Sequence, residues 1–327
     1  NGLVPMLRVF NNTARYVDQC LTPETIIYTK DGAKKMCEIV SGETQVYNLN
    51  GELDTVSQVL EHEYTGEILE VNTANSIEPL VITPEHPVYS IVGQRRGLNY
   101  NIIRNRLEKN IVKPDWVEAK DLSDDDFVGF PIPQNETDIT AITADDCYAY
   151  GVILGDGSVS KSKGGSSNNY GYISLNYETK VNVVDTITNY FKSKFVDYRI
   201  EESKESKVVR VYWNKSVNLP FQYSDFYLND EKHCSGRFLN LPLEKSKMIL
   251  KGLVDTDGSV GNEIVFDSTS RNLVETVRFI CLRMGALTGG YERDRRGESH
   301  ITKYGDTITN KKVSWSLRIP KTREICQ

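Results

Sequence analysis

At 327 residues the chain has room for two or three domains at about 150 residues each. Its 39% hydrophobic and 26% charged content is that of ordinary folded protein. No apolar run approaches the roughly 18 residues a bilayer-spanning helix needs, and the first residues lack the basic-then-apolar order of a signal peptide, so the expectation is a cytoplasmic, reducing setting without a membrane.

The net charge of −6 excludes a uniformly basic nucleic-acid binder. The positive charge is clustered, however, between Arg95 and Lys113 and again between Arg293 and Arg323, so a local basic face stays open. The six cysteines (Cys20, Cys37, Cys147, Cys234, Cys281, Cys326) are scattered without a C-x-x-C pair. That spacing excludes a zinc knuckle and a disulfide framework, leaving each cysteine as core filler or as a reactive thiol.

Residues 1–19 carry a mildly helical pattern that breaks at Cys20. The run Leu7-Arg8-Val9-Phe10-Asn11-Asn12-Thr13-Ala14-Arg15-Tyr16-Val17-Asp18-Gln19 closely resembles a piece of the ribonucleotide reductase large subunit. The resemblance implies a fragment of a host enzyme, and Cys20 begins something else.

From Cys20 to about Pro133 short β-runs alternate with turn residues: Glu24–Tyr28, Thr44–Tyr47, Val56–Leu60, Ile68–Val71 and Leu80–Thr83. Asp31-Gly32, Asn50-Gly51 and Thr65-Gly66 punctuate them. Regular short strands of this kind predict an all-β domain. Three landmarks stand in order within it: Cys20-Leu21-Thr22-Pro23-Glu24-Thr25, then Ile82-Thr83-Pro84-Glu85-His86-Pro87, then Trp116-Val117-Glu118-Ala119-Lys120-Asp121-Leu122. Together they resemble the N-terminal splicing region of an intein, a Hint-type all-β fold. The resemblance implies that Cys20 attacks the Gln19 carbonyl and converts the amide to a thioester. His86 would then be the proton donor to the leaving nitrogen, and Thr83 the hydrogen-bonding residue that holds the Gln19–Cys20 bond distorted. Residues 1–19 would be the upstream extein flank. The family closes with His-Asn and a downstream nucleophile, whereas this sequence reaches Ile325-Cys326-Gln327 without them. The expectation is that these residues perform the first step alone, the C-terminal splicing region being absent.

Residues 134–327 change character. Thr143–Leu154 predicts a helix with Thr143 as N-cap and acidic residues in the first turn. It runs into Gly155-Asp156-Gly157-Ser158. Pro242–Val254 predicts another, running into Thr256-Asp257-Gly258-Ser259. Each is followed by strand-like runs and by a helix with one apolar face: Val183, Val184, Ile187, Tyr190 and Phe191 in one case, Leu273, Val274, Val277, Ile280 and Cys281 in the other. Alternating strands follow, Val208–Trp213 and Val313–Ile319. Two copies of the same order, about 143–240 and 241–327, predict an α+β domain with a pseudo-twofold axis.

Small residues four apart, Gly151 and Gly155 in one helix and Gly252 and Thr256 in the other, leave one bare face on each. Such helices can approach closely and bring Asp156 and Asp257 side by side. Paired carboxylates at helix C-termini are electrostatically unfavourable, which calls for a cation, and oxygen ligands suit Mg2+. One Gly-Asp-Gly is an ordinary helix stop; two in a matching repeat point further. Both motifs, Ala149-Tyr150-Gly151-Val152-Ile153-Leu154-Gly155-Asp156-Gly157 and Leu250-Lys251-Gly252-Leu253-Val254-Asp255-Thr256-Asp257-Gly258, resemble the signature of the LAGLIDADG (DOD-type) homing endonucleases, the first departing at Tyr150 and Leu154.

That second resemblance implies a monomeric, metal-dependent nuclease that cleaves double-stranded DNA at the host-gene site lacking the insertion. Gly155 and Thr256 would join the two aspartates around the metal. Arg210, Tyr212, Ser314, Ser316, Arg318 and Lys321 are candidates for the DNA-facing surface, and Arg237, just before the second helix, for a basic group assisting cleavage. His62, His233 and His300 stand in polar surroundings and read as surface residues. The alternatives are a free-standing endonuclease, which leaves Cys20 and His86 unexplained, and a hedgehog-type autoprocessing domain, which lacks the paired aspartates.

Overall fold

The structure, a computed structural model, describes residues 2–7, 19–94, 100–161, 168–301 and 307–326, with the side chains of residues 2–7, 100, 300, 308, 324 and 326 outside that description. Residues 8–18 of the reductase-like run, Arg95, Arg96 and Lys303, and the side chains of Tyr100 and His300 thus lie outside the described residues. The chain divides into two compact units, Asn1–Pro133 and Gln134–Gln327.

The first unit is built from short antiparallel strands. Ile26–Thr29 and Gly32–Lys35 form a hairpin in which Gly32 takes a φ of +111°, a conformation that costs glycine little. Thr29 Oγ1 secures the turn, accepting from the Asp31 N–H at 3.1 Å and donating to the Gly32 carbonyl at 2.7 Å. The hairpin continues through Gln45–Tyr47 to Leu53–Thr55 as a four-stranded sheet. Pro87–Ile91 runs between Asp115–Glu118 and Phe127–Val128, Leu69–Val71 pairs with Leu80–Ile82, and Gly2–Leu7 pairs with Val59–Tyr64. A helix, Tyr100–Glu108, interrupts the strands. Polarity hides it in the sequence, since Ile103 is its one buried apolar side chain among the described residues, and the Arg104–Glu108 ion pair at 2.9 Å supports it from outside. Leu21, Met36, Ile39, Val46, Val56, Ile82, Val88 and Ala119 form the core. Leu21 and Ile82, immediate neighbours of Cys20 and Thr83, are bridged antiparallel, so the core pins both sides of that site.

The second unit is α+β and repeats itself. Helix Ala144–Asp156 leads into Gly157–Val159, Gly171–Asn176, helix Val181–Ser193, Tyr198–Ser203 and Val208–Trp213. Helix Leu243–Asp257 leads into Gly258–Val260, Ile264–Ser268, helix Arg271–Arg283, Gly289–Arg293 and Ser314–Ile319. In both copies the sheet is four-stranded and antiparallel, with the first and second strands adjacent, the last strand third, and the strand after the helix at the far edge. The two helices Val181–Ser193 and Arg271–Arg283 bury the faces their apolar spacing defines, with Ile187, Phe191, Val274 and Ile280 fully enclosed. Thr143 caps the first signature helix, its Oγ1 accepting from the Asp146 N–H at 3.2 Å while Asp146 Oδ2 accepts from the Thr143 N–H at 2.8 Å. Asp146 also accepts from Tyr190 Oη and pairs with Lys194, both at 2.7 Å, which ties the cap to the neighbouring helix.

Candidate active sites

The two signature helices pack along their small residues. A Cβ placed on Gly151 would lie 2.3 Å from the Ile249 carbonyl oxygen and 3.1 Å from Gly252 Cα. One placed on Gly252 would lie 2.5 Å from the Tyr148 carbonyl oxygen and 2.7 Å from the Val152 nitrogen. Backbone is therefore in contact with backbone. At the next turn Gly155 faces Thr256, whose Oγ1 donates back into its own helix, toward the Gly252 carbonyl at 3.0 Å and the Leu253 carbonyl at 2.9 Å. The helices run on through Asp156 and Asp257, each the last residue before the following strand, one turn beyond the apolar period that announces them.

This crossing sets the electrostatics. Burial, then the neighbouring Asp156 charge, push the Asp257 carboxyl up to about 6, against the pull of Lys232 and Lys180. Burial raises Asp156 as well, opposed by the same two lysines. Burial lowers Lys232, and Asp257 and Asp156 act the other way. Lys232 reaches the site from a small hairpin, Tyr227–Leu228 with Glu231–Lys232, and donates to the Gly155 carbonyl beside the paired carboxylates. Lys180 donates to the Asp255 carbonyl at 2.6 Å, and the Asp255 carboxylate accepts from Tyr148 Oη at 2.9 Å and Lys251 Nζ at 2.5 Å.

Sequence reasoning missed Lys232. Arg237, five residues later, is turned elsewhere: its Nη2 donates to the Pro220 carbonyl at 2.8 Å and its Nε lies 3.7 Å from Asp225. The signal available was slight, a lysine beside His233 in a polar run, with nothing to show that the hairpin folds back on the helix ends. Tyr150, the departure in the first motif, is fully buried, stacked on Phe238 with centroids 3.8 Å apart and donating to the Asp225 carbonyl.

The sheet residues fall as follows. Val209, Val211 and Trp213 point inward, while Arg210 is exposed opposite Ser174 and Glu201. Tyr212 lies under the Arg199 guanidinium, 4.4 Å from its ring centre. In the second sheet Arg318 is exposed and 3.3 Å from Glu263, and Lys321 donates to the Gly261 carbonyl. Ser316 corrects the expectation of a DNA-facing side chain: it is buried, standing in register between Asp267 and Tyr291, and the tyrosine hydroxyl bonds to it. Alternation assigns the face correctly, but a small residue between two larger ones is covered by them.

The first unit holds a separate constellation. Cys20 is fully buried and Thr83 nearly so. The Cys20 N–H, part of the Gln19–Cys20 peptide, donates to Thr83 Oγ1 at 3.0 Å, and the Thr83 N–H donates to the Cys20 carbonyl at 3.2 Å. His86 follows one turn later, its N–H donating to the Thr83 carbonyl at 3.0 Å. Burial pushes the His86 imidazole down to about 4, so the ring is neutral at pH 7, and its buried Nδ1 has no hydrogen-bond partner among the described residues. A residue absent from the sequence reading of this site also contacts the thiol: His62 Nε2 stands 3.4 Å from Cys20 Sγ.

Among known proteins, residues 244–318 match the family model described as LAGLIDADG-like domain. An uncharacterized protein, MJ0043, of Methanocaldococcus jannaschii is 24% identical over 82% of this chain and 38% of its own length. The ATP-dependent DNA helicase Hel308 of Thermococcus kodakarensis is 24% identical over 90% of this chain and 30% of its own length. An iron-sulfur cluster assembly SufBD family protein of Mycobacterium bovis is 24% identical over 60% of this chain and 24% of its own length. The chain thus spans well under half the length of these relatives. A crystal structure of I-DmoI in complex with DNA and Mn shares 15% identity with a TM-score of 0.37, covering 57% of this chain and 94% of that one. The second of the two repeats matches a LAGLIDADG-like domain, and the first repeat shares its strand order.

Proposed function

We propose that the chain is an intein carrying a homing endonuclease, set in a ribonucleotide reductase large subunit: residues 1–19 the upstream flank, 20–133 the splicing region, 134–327 the nuclease. The observation that carries the nuclease reading is the Asp156–Asp257 pair, one carboxylate from each repeat, held at the joined ends of two helices with Lys232 beside them. A pseudo-twofold protein with one acid per half matches the local twofold of a DNA duplex.

The donor chemistry fits a divalent cation. Two carboxylates raised by burial, Asp257 also by the Asp156 charge, gain from a positive charge between them. Among the described residues no cluster of three or more His, Cys, Asp or Glu side chains forms a metal cage. The remaining ligands would be carbonyls, water and substrate phosphate, the sparse protein coordination that suits Mg2+. A bound divalent cation would supply Lewis-acid polarisation of the phosphate and an acidified water. Asp156 and Asp257 would hold it, while the Lys232 ammonium offsets charge building on the phosphodiester.

The test is incubation of the purified protein with a plasmid carrying the uninterrupted host-gene junction. Mg2+-dependent linearisation by the wild type, abolished by Asp156→Asn or Asp257→Asn, is the expected result; no cleavage by folded protein refutes it.

The splicing half is favoured by a specific observation, the two hydrogen bonds through which Thr83 grips Cys20 on either side. A hydroxyl that fixes the plane of the Gln19–Cys20 peptide is placed to orient it for attack by the residue's own thiol. The Nδ1 of His86, without a partner among the described residues, would find one in the departing nitrogen. The relatives support insertion: one segment accounts for a minor part of a helicase and of an iron-sulfur assembly protein, whose names share no activity. Dithiothreitol is expected to release residues 1–19 as a peptide detectable by mass spectrometry, and Cys20→Ala to abolish the release.

A further inference from the structure

We propose that His62 is the general base of the acyl shift, taking the Cys20 thiol proton as Sγ attacks the Gln19 carbonyl. The inference rests on the splicing reading above and adds to it a catalytic residue outside the three sequence landmarks.

Three observations carry it. Cys20 is fully buried, and Leu60 and Tyr64 are the partly buried hydrophobic side chains packed against it. A thiol so enclosed is poorly placed to give its proton to bulk water, although the thiolate is the nucleophile. His62 lies between those two on the same strand, Val59–Tyr64, and residues 60, 62 and 64 share one face because side chains alternate. Its Nε2 is 3.4 Å from Sγ, within reach for a thiol hydrogen bond. The opposite face carries the exposed Glu61 and Glu63, so the strand sorts its polar residues and still directs this imidazole toward the cysteine.

The step balances without a co-reactant. The proton on Sγ passes to His62 Nε2, in the tautomer where that nitrogen accepts. The sulfur forms a bond to the Gln19 carbonyl carbon, and the carbonyl oxygen takes up the displaced electron pair. On collapse the carbon–nitrogen bond breaks, and the Cys20 nitrogen leaves as an amine carrying one added proton. The net change is one proton moved from sulfur to nitrogen, once His62 has returned its proton to solvent and His86 has regained one. His62 therefore acts on the thiol and His86 on the nitrogen, two histidines dividing the base and acid roles.

The experiment compares dithiothreitol-induced release of residues 1–19 from the full chain in wild type, His62→Gln, His62→Asn and His62→Ala, with thermal unfolding confirming that each variant is folded. Loss of the base is expected to slow release by about 10²-fold or more. Imidazole added to the His62→Ala protein is expected to restore part of the rate, which a purely structural role would not predict. Folded His62→Gln or His62→Asn protein releasing at the wild-type rate overturns the proposal while leaving Cys20 as nucleophile. Absence of release from the wild type overturns the splicing reading, and the role of His62 with it.

Discussion

Asp257→Asn is the most informative single change, because it separates a carboxylate kept for metal from one kept for stability. The Asp257 carboxyl is pushed from 3.8 up to about 6 by burial and by Asp156. A folded-state value above the unfolded one means that the folded protein holds the proton more tightly. The associated stability is complete below about pH 4 and lost as pH rises through about 6. At neutral pH the ionised group therefore costs about 3 kcal/mol relative to a neutral isostere. In EDTA, Asp257→Asn should leave the unfolding midpoint unchanged near pH 4. By pH 7.5 it should raise that midpoint by roughly 5–10 °C for a unit of this size. Millimolar Mg2+ should stabilise the wild type at pH 7.5 and leave the variant unmoved, since a ligand that binds the native state alone raises its stability. Calorimetry across that pH range measures both effects. A variant less stable than wild type at pH 7.5 would refute the reasoning, because it would mean that attraction to Lys232 outweighs burial and repulsion.

The other predictions follow from equally local geometry. Gly252→Ala places a methyl 2.5 Å from a carbonyl oxygen of the partner helix, so the helices must part, and urea unfolding should register a loss of about 3 kcal/mol. Lys232→Met removes the ammonium beside the paired aspartates while keeping the stem, and plasmid cleavage should fall about 10²-fold or more with unfolding little changed. Tyr190→Phe deletes a 2.7 Å bond to Asp146, whose carboxyl burial would raise but which Lys194, Thr143 and Tyr190 together hold low. A depressed carboxyl contributes stability that is lost as pH falls through its folded-state value. The variant should therefore lose about 1 kcal/mol at neutral pH and unfold in acid at a higher pH than wild type, as followed by circular dichroism.

Local pattern carried much of this molecule. Strand runs around Ile26–Thr29, Gln45–Tyr47 and Leu80–Ile82, the Thr143 cap, and the apolar faces of the two repeat helices are all written in spacing and propensity, which act over a few residues. The paired glycines were legible for the same reason, since small residues four apart define a face whatever it meets. Boundaries were less so: the signature helices extend through Asp156 and Asp257 because close packing continues past the last large apolar residue.

His62 shows where sequence reasoning stopped. Flanked by Glu61 and Glu63 it reads as a surface histidine, yet period two sends those neighbours to the other side and leaves it among Leu60, Tyr64 and Cys20. Alternation, applied strictly, would have placed His62 on the apolar face; it would not have named Cys20, 42 residues away, as its partner. Lys232 is the same case at longer range, 77 residues from the carbonyl it meets.

The sequence by itself determined the two repeats, the small-residue faces that let their helices touch, and the order of Cys20, Thr83 and His86 along the chain. Only the tertiary structure decided which charges share a site: Lys232 rather than Arg237 at the aspartates, His62 at the thiol, Ser316 hidden beneath Tyr291. The physical reason is that periodicity specifies which face of an element is apolar, whereas the partner of that face is chosen by packing between segments far apart in the chain.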